Sequence, residues 1–275
     1  MVRLFVYLMI VSVSLMGGVA STSAQESALL MATTTSTDDT GLLDYLSPLF
    51  TKETGVTLKW TATGTGKALE LGKNCDVDIL LVHAPDAEKK FVADGYGVNR
   101  KEVMYNDFVI IGPPSDPASV KGKSVSDTLK KIKAGGHPFI SRGDDSGTHK
   151  METGLWKLSG VGVPDKEAFY VQTGQGMMAT ISMCEEKKGY TLTDRGTYIK
   201  YEDSQGGKPL LKILVENDDL LKNQYSVIEV NPSNCPKVKS DQAKAFSKWI
   251  VGKTAQAQIG AFKLLNKQLF IPNAR

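Results

Sequence analysis

The residue types best suited to chemistry lie in one run, residues 141–149, which reads Ser-Arg-Gly-Asp-Asp-Ser-Gly-Thr-His. It brings one guanidinium, three hydroxyls and two glycines together just before a helix that apolar spacing predicts over 150–158. A helix N-terminus attracts anions, because its first N–H groups are unpaired and its dipole is positive there. The chemistry predicted for the run is therefore anion binding. Its donors are Arg142, Ser146, Gly147 and Thr148.

Each donor would make a different contact with such an anion. Arg142 offers parallel N–H groups to two anion oxygens, and Gly147 lets its N–H approach closely because it has no side chain. Asp144 and Asp145 accept hydrogen bonds, so we expect one to orient the guanidinium and one to cap the helix. An ordinary turn, in which Arg142 simply pairs with a neighbouring aspartate, has the same composition and stays open as an alternative.

Two further segments carry neutral hydrogen-bond donors. Residues 33–37 are five consecutive hydroxyl residues, a poor core segment, although edge strands do carry threonine. Residues 63–66 read Thr-Gly-Thr-Gly, and a phosphate-loop interpretation fails there because Thr61 stands where that motif needs glycine and Ala68 where it needs a hydroxyl. Both segments are interpreted as donor loops. Their candidate ligand residues are Thr35, Ser36, Thr37, Thr63 and Thr65.

Catalysis is the less favoured function for these residues. Ser146 and His149 are close in sequence, but no G-x-S-x-G elbow surrounds the serine, whose flanking residues include Asp144 and Thr148. Closeness in sequence is also not the geometry of a catalytic triad. We expect a binding protein that is not an enzyme, and a secreted serine hydrolase using Ser146 remains the distant alternative.

The cysteines and histidines do not predict a metal-cation site. Three of each are present, and their spacing matches no zinc motif. An odd number of cysteines allows at most one internal disulfide and leaves a free thiol. The sequence leaves the pairing open among Cys75, Cys184 and Cys235.

The N-terminus has the features of a secretory signal peptide. Arg3 precedes an almost wholly apolar stretch at 4–16, and Thr22-Ser23-Ala24 is a suitable small-residue cleavage site. The stretch is shorter than the roughly 20 apolar residues that a spanning helix needs. We therefore predict that residues 1–24 are removed and that the mature chain is periplasmic.

Composition excludes some partners. Of 275 residues, 33 are Lys or Arg and 30 are Asp or Glu, so the formal net charge is only +3. No polybasic field suited to nucleic acid is present, and no run of like charges indicates a disordered tail. The length suffices for one or two domains with a substantial core.

Apolar periodicity predicts alternating strands and helices in the first third of the chain. This β-α-β repetition implies a mostly parallel sheet flanked by helices, and the carboxyl ends of its strands form the usual ligand crevice. The polar segments at 33–37, 63–66 and 83–85 all fall at those ends. The predicted strands lie at 27–32, 56–61 and 77–82, and the helices at 41–52, 67–73 and 85–93.

A second α/β unit is predicted after the break at Gly112-Pro113-Pro114. The predicted fold class is α/β with two lobes, each a mostly parallel sheet flanked by helices, joined by strands that cross near 105–108 and 226–229. Such a two-strand hinge lets the lobes close over a ligand. The further strands are predicted at 103–111, 138–140, 168–171, 198–201, 213–215 and 226–230, and the further helices at 124–133, 150–158, 175–187, 240–251 and 254–265. The predicted segments are the signal peptide at 1–24, lobe 1 at 25–107 and 228–275, and lobe 2 at 108–227.

Three segments together resemble a known family. They are Thr-Thr-Ser-Thr at 34–37 with Asp-Thr-Gly-Leu at 39–42, the run at 141–149, and Tyr-Thr-Leu-Thr-Asp-Arg-Gly-Thr-Tyr at 190–198. Over essentially the whole mature chain they resemble the periplasmic tungstate-binding proteins of ABC transporters, the TupA family. The resemblance implies a type II periplasmic binding protein fold with tungstate, or else molybdate, in the cleft between the lobes. It also implies no cofactor, no reaction and an ABC permease in the cytoplasmic membrane as partner, and we expect a monomer. The implied ligand residues are Thr35, Ser36, Thr37, Thr65 or Thr63, Arg142, Ser146, Gly147 and Thr148.

Phosphate, molybdate and sulfate are the rival ligands. Phosphate-binding relatives carry a similar arginine loop, but they place an aspartate soon after the strand that corresponds to 77–82, and this chain has His83-Ala84-Pro85 there. Phosphate keeps a proton near neutral pH and needs such an acceptor, whereas a fully deprotonated dianion needs donors only. Tungstate and molybdate have equal charge and nearly equal size, so the sequence does not rank them. Whether His83 lines the cleft also stays open.

Overall fold

The computed structural model describes residues 28–274, so the predicted signal peptide at 1–24 lies outside the described residues. Within 28–274, no helix is both long enough and apolar enough to cross a membrane. In the first part of the chain, strands and helices alternate as the apolar pattern predicts. The strands are β1 (Leu29–Thr34), β2 (Leu58–Thr63), β3 (Ile79–Val82) and β4 (Gly97–Gly112), and the helices are α1 (Thr35–Asp38), α2 (Leu42–Thr54), α3 (Thr65–Lys73) and α4 (Pro85–Ala93).

The rest of the chain continues the alternation and ends in short strands. The helices are α5 (Val125–Gly135), α6 (Gly147–Leu158), α7 (Met177–Lys187), α8 (Arg195–Ser204), a 3-10 turn (Asp219–Leu221), α9 (Ser240–Ile250) and α10 (Lys253–Ala261). The strands are β5 (Phe139–Ser141), β6 (Tyr170–Gln172), β7 (Thr191–Asp194), β8 (Lys212–Val215), β9 (Lys222–Val230), β10 (Lys263–Leu264), β11 (Lys267–Gln268) and β12 (Ile271–Pro272).

The main sheet combines parallel and antiparallel pairs. Its order is β12-β4-β9-β3-β1-β2, and β7 and β8 also pair with β4. Strand β1 runs parallel to β2 and β3, so their carboxyl ends share one edge of the sheet. Strand β5 is parallel to β6, whereas β9 is antiparallel to both β3 and β4. Helices flank these strands, as the predicted α/β class requires. Within residues 28–274, five of the seven strand pairs in the main sheet are nevertheless antiparallel, so the expected mostly parallel arrangement holds only for β1 to β3 and for the separate two-stranded sheet of β5 and β6.

Apolar residues form separate cores in two halves of the molecule, one built around β1 to β3 and one around β5 to β8. Around β1 and β3, Phe50 packs edge-on against Phe246 at 5.0 Å between ring centroids. Around β5, Phe139 packs edge-on against Trp156 at 5.2 Å. Strand β3, predicted as a strand covered on both faces, is buried at all four of its residues, Ile79–Val82. Each half therefore has its own packed interior.

Strand β4 belongs to both halves. Between Gly97 and Asp107 it pairs with β9, and from Phe108 to Ile111 it pairs with β7. One continuous strand thus carries the backbone from one core to the other. Strand β9 runs beside it, with Asn223 as the register partner of Asn106. The lobe boundaries given above stay a prediction.

One predicted strand is wrong. Residues 198–201 lie inside helix α8, because Asp194 caps this helix and accepts hydrogen bonds from the Thr197 N–H at 2.8 Å and from its hydroxyl at 2.6 Å. Tyr198 and Tyr201 are both buried, at the i, i+3 spacing of a helix face. The strand lies just upstream instead, as β7, and a capping aspartate followed by threonine at the third position is the signal that marks this boundary.

The other differences lie at ends of elements. Thr33 and Thr34, predicted as part of a loop, complete β1 and are buried, and the loop residues after them form the short helix α1. Helix α10 ends at Ala261, so the predicted continuation to residue 265 is wrong. The short strands β10, β11 and β12 were not predicted, since each has only two residues and depends on tertiary pairing.

The disulfide is Cys75–Cys235, and Cys184 is a buried free thiol. The bridge ties the turn after α3 to the loop after β9, across 160 residues of sequence. The sequence could not choose this pair because it depends on β3 and β9 being neighbours in the sheet.

Candidate functional site

The candidate site lies where the starts of three helices face each other. Helices α1 and α3 follow the carboxyl ends of the parallel strands β1 and β2, and α6 follows the loop after β5. A Cβ atom built on Gly147, at the start of α6, would lie 3.9 Å from Thr65 Oγ1 and 3.8 Å from His83 Cε1. The segment between β5 and α6, residues 142–146, is called the anion loop below; it leads into Gly147 and so approaches the donor loops of the other half closely. Helix starts of this kind offer unpaired N–H groups to an anion.

Two adjacent cavities contain most of the predicted ligand residues. A cavity of about 600 Å³ is lined by Thr65, Ser146 and Gly147, and one of about 420 Å³ is lined by Thr35, Ser36 and Arg142. His83 lines the larger cavity, and its Nε2 atom lies 3.2 Å from Ser36 Oγ in the smaller one. The two cavities thus meet at this contact.

Three predicted ligand residues line neither cavity. Thr37 is fully buried, and its hydroxyl lies 2.6 Å from Thr34 Oγ1. Thr63 is the last residue of β2, and Thr148 lies in the first turn of α6. Their place in the ligand set stays a prediction.

Hydrogen bonds hold both the backbone and the side chain of Arg142 in place. Its carbonyl accepts hydrogen bonds from Gly174 N–H at 2.8 Å and from the Thr173 hydroxyl at 3.2 Å. One guanidinium nitrogen donates to Asp144 Oδ2 at 2.5 Å. The buried Nε atom has no hydrogen-bond partner among residues 28–274. A buried donor without a hydrogen-bond partner destabilises the folded protein, so a ligand that accepts a hydrogen bond from this Nε–H would gain stability from it.

Asp144 orients the guanidinium, as the sequence predicts for one of the two aspartates. Burial works against its charge, but hydrogen bonds with Ser146 and the charge of Arg142 outweigh burial and lower the pKa of the Asp144 carboxyl. The carboxylate also accepts the Ser146 N–H at 3.2 Å. It therefore stays ionised and is already engaged by its own loop.

The helix cap is Ser146, so the expectation that an aspartate caps α6 is wrong. Ser146 Oγ accepts the His149 N–H at 3.3 Å, and its hydroxyl also hydrogen-bonds with the Asp144 carboxylate. Asp145 points to Lys150 instead, at 3.3 Å. The His149 ring accepts the Asp145 N–H at its Nδ1 atom, 3.0 Å away, and so serves the loop backbone.

Helix α3 contributes backbone donors. Gly64 precedes its first turn, and no side chain in the described part of the chain caps that end. Thr65, the first residue of the helix, is buried with its side chain close to Gly147. A Cβ atom built on Gly64 or Gly66 would meet no atom of residues 28–274 within 4 Å, so both positions border open space. An oxyanion can therefore approach these N–H groups closely.

Carboxylates lie in the walls of both cavities. Asp144 and Asp145, from the predicted run, line the larger one, and the carboxylates of the smaller one were not predicted as part of the site. Asp194 and Asp39 line the smaller cavity with Arg142.

Asp194 is engaged by Thr197 as the α8 cap. Lys200, on the same helix, donates to the backbone carbonyl of Asp39 and so links the two halves across the cavity. The pairing of β7 with β4 places Asp194 at this cavity, and the local sequence does not indicate that position.

Comparisons with known proteins agree on one family. A family model described as a PBP superfamily domain matches residues 19–254. The chain is 54% identical over 240 residues to the tungstate-binding protein TupA of Campylobacter jejuni, across 87% of this chain and 89% of the relative. It is 47% identical over 263 residues to TupA of Peptoclostridium acidaminophilum, across 94% and 90% of the two chains.

A solved structure supports the fold directly. The tungstate binding protein TupA from Desulfovibrio alaskensis G20 shares 63% sequence identity with this chain, superposes with a TM-score of 0.87, and is matched across 90% of this chain and 99% of its own. The predicted two-lobed α/β fold class is confirmed by this match together with the family model.

Proposed function

This chain belongs to the PBP superfamily and, within it, to the TupA family of tungstate-binding proteins, and we propose that it captures tungstate between its two halves for uptake by an ABC transporter. The observation that carries the proposal is the convergence of donors from both halves: Arg142 and Ser146 from one, Ser36 and Thr65 from the other. A ligand that bonds to both halves stabilises the closed arrangement, because only that arrangement completes its contacts.

The donor chemistry suits a tetrahedral dianion. The Arg142 guanidinium supplies charge, Ser36 supplies a hydroxyl hydrogen, and Gly147 supplies a backbone N–H at a helix start. These groups replace the water that surrounds the free ion. The proposed ligand set is the one predicted from sequence: Thr35, Ser36, Thr37, Thr63, Thr65, Arg142, Ser146, Gly147 and Thr148.

The protein acts in this proposal as a carrier and performs no reaction. It works as a monomer in the periplasm and delivers the anion to a permease in the cytoplasmic membrane, as the role of an ABC transporter binding protein requires. The halves close by bending about β4 and β9, so the lobes at 25–107 with 228–275 and at 108–227 move as two bodies.

Anion selectivity tests the proposal. Phosphate carries a proton near neutral pH and needs an acceptor, but the Asp144 and Asp194 carboxylates are already engaged by Arg142 and Thr197. In competition calorimetry on the mature protein we expect tungstate to bind tightly, with molybdate as the strongest competitor. Phosphate should fail to displace tungstate at about a thousandfold excess, because a polar group left unpaired in a buried site costs several kcal/mol.

Two results would overturn the assignment. If phosphate displaced tungstate at a similar concentration, the protein would be a phosphate carrier. If the Ser146→Ala variant lost an ester-hydrolysing activity that the native protein possessed, the hydrolase alternative would replace transport.

A further inference from the structure

The His83 ring connects two groups of polar residues beside the proposed anion site. Its Nε2 atom lies 2.9 Å from Thr34 Oγ1 and 3.2 Å from Ser36 Oγ. Its Nδ1 atom lies 2.9 Å from Asn223 Oδ1. The ring also stacks on Tyr225, with 4.6 Å between the ring centroids. Both nitrogens and one face are therefore engaged, and the position of the ring is fixed.

The partner on Nδ1 determines which nitrogen carries the hydrogen. The Asn223 amide nitrogen donates to Asn106 Oδ1 at 2.7 Å, so its oxygen is the atom turned toward His83. A carboxamide oxygen only accepts hydrogen bonds, and Nδ1 must therefore carry the hydrogen. In the neutral ring, Nε2 is then left with a single lone pair.

The surroundings favour the neutral ring. Burial lowers the pKa of His83 below its ordinary value of 6.5, and the opposing effects, the Asn223 hydrogen bond and the charge of Asp194, are smaller. At neutral pH the ring therefore accepts a hydrogen bond at Nε2 and does not donate one.

A count of hydrogens assigns a role to each hydroxyl. Nε2 can accept one hydrogen, and Thr34 is the nearer donor, so the Thr34 hydroxyl is used there. The Thr34 oxygen in turn accepts the Thr37 hydroxyl at 2.6 Å and the Thr37 N–H at 3.3 Å. Both of its lone pairs are then occupied, so it does not take the hydrogen of the Ser36 hydroxyl 3.2 Å away. The hydroxyl hydrogen of Ser36 is left over, and Ser36 lines the cavity that also contains Arg142.

The other end of the network reaches the strands that join the two halves. Asn106 and Asn223 are register partners on β4 and β9. Asn106 lies just before Phe108, where the pairing of β4 changes from β9 to β7. Hydrogen bonds therefore run from the anion cavity to the place where the halves are joined.

We propose that His83 is a positioning residue: its neutral ring accepts the Thr34 hydroxyl at Nε2 and so leaves the Ser36 hydroxyl free to donate to the captured anion, while Asn223 and Asn106 fix the required tautomer from the connecting strands. This proposal deepens the tungstate-binding function and rests on it. It also adds to selectivity, since the Nε2 lone pair is occupied and offers no acceptor to a protonated anion.

Two substitutions test the roles of the two ring nitrogens of His83 separately. Glutamine at position 83 can place an acceptor oxygen near the Nε2 position, whereas asparagine reaches only the Nδ1 position and can still donate to Asn223. We expect His83→Gln to bind tungstate within about threefold of the native protein, and His83→Asn to bind about tenfold more weakly, since it loses the group that orients the hydroxyls. Isothermal titration calorimetry at pH 7.5 measures both, after circular dichroism has shown that each variant is folded.

The matched control is His137, whose ring packs edge-on against Tyr190 and lines neither cavity. His137→Gln and His137→Asn should bind tungstate alike. Equal losses for the two His83 variants, with the control pair unchanged, would overturn the proposal.

A spectroscopic measurement tests the tautomer without any substitution. The ¹⁵N shifts of the imidazole ring in the native protein should show a neutral His83 with its hydrogen on Nδ1, both with and without tungstate. A hydrogen on Nε2, or a charged ring at pH 7.5, would overturn the proposal. If the native protein failed to bind tungstate, the proposed function would fail instead, and the tautomer of the free protein would still report on His83.

Discussion

Replacing Arg142 with alanine should weaken tungstate binding by about a hundredfold or more. The substitution removes the positive charge and the buried Nε–H that lacks a partner among the described residues. Charge-assisted hydrogen bonds to a buried anion contribute about 1.5–3 kcal/mol each. The substitution also removes the guanidinium that lies 2.5 Å from the Asp144 carboxylate. That carboxylate would then face the dianion unpaired, and like charges at this range repel. Calorimetry measures the loss directly.

Three further variants separate the causes of that loss. Arg142→Lys keeps the positive charge but lacks the parallel N–H groups of the guanidinium, so we expect an intermediate loss of tungstate affinity of about tenfold. Arg142→Ala with Asp144→Asn should recover part of the affinity, because the unpaired carboxylate is gone. Lys67→Ala removes an exposed cation that lines the larger cavity and pairs with Glu70, and it should change affinity less than threefold. If Arg142→Ala bound tungstate like the native protein, Arg142 would have no place in the site.

The second large effect concerns a buried carboxyl beneath the anion loop. Glu152 on α6 accepts hydrogen bonds from Trp156 Nε1 at 3.0 Å and from the Tyr170 hydroxyl at 2.7 Å. It also accepts from the Ser141 hydroxyl, directly before Arg142 in sequence. Burial nevertheless raises the pKa of Glu152 from 4.5 to about 7. The folded protein therefore holds a proton on this group over a range of pH in which the unfolded chain has lost it.

The sign of the pH dependence follows from that proton. Between pH 4.5 and pH 7 the folded state binds more protons at Glu152 than the unfolded state does, so the free energy of unfolding falls as pH rises. Between pH 5 and pH 8 the loss from this group should be about 2–3 kcal/mol. Glu152→Gln cannot lose a proton, so the variant should lack this part of the pH dependence. Urea denaturation of both proteins at pH 5 and pH 8 measures the difference.

The control for this prediction is Glu53→Gln, at an exposed position on α2. Its unfolding free energies should follow those of the native protein at both pH values. If the Glu152→Gln and native curves were parallel between pH 5 and pH 8, the carboxyl would be ionised throughout and the account of its burial would be wrong.

Local chemistry made much of the candidate site predictable from sequence. Arg142 and Ser146 stand in a run whose glycines and hydroxyls indicate anion binding without any tertiary information. The strand-helix alternation places the donor loops at one edge of the sheet, which is where Ser36 and Thr65 lie. The position of Gly147 opposite Thr65 then follows from the approach of the two halves.

Tertiary contacts decided what the sequence did not reveal. Thr37 belongs to the same run of hydroxyl residues as Ser36, and only the structure shows that it is buried with its hydroxyl next to Thr34. Asp194 reaches the smaller cavity through the pairing of β7 with β4, about 85 residues apart in sequence. The network from His83 through Asn223 to Asn106 likewise joins three distant segments, and none of them carries a local motif.

The position of the tungsten atom tests the central claim most directly. A crystal of the mature protein grown with tungstate, with anomalous data collected at a tungsten absorption edge, locates the ion without reference to any side chain. The account predicts a peak at the junction of the two cavities, about 4 Å from the nearest donor atoms of Arg142, Ser36, Thr65 and Gly147, as W–O bonds followed by hydrogen bonds require. A peak elsewhere, or an ion oxygen in direct contact with a carboxylate of Asp39, Asp144 or Asp194, would contradict it.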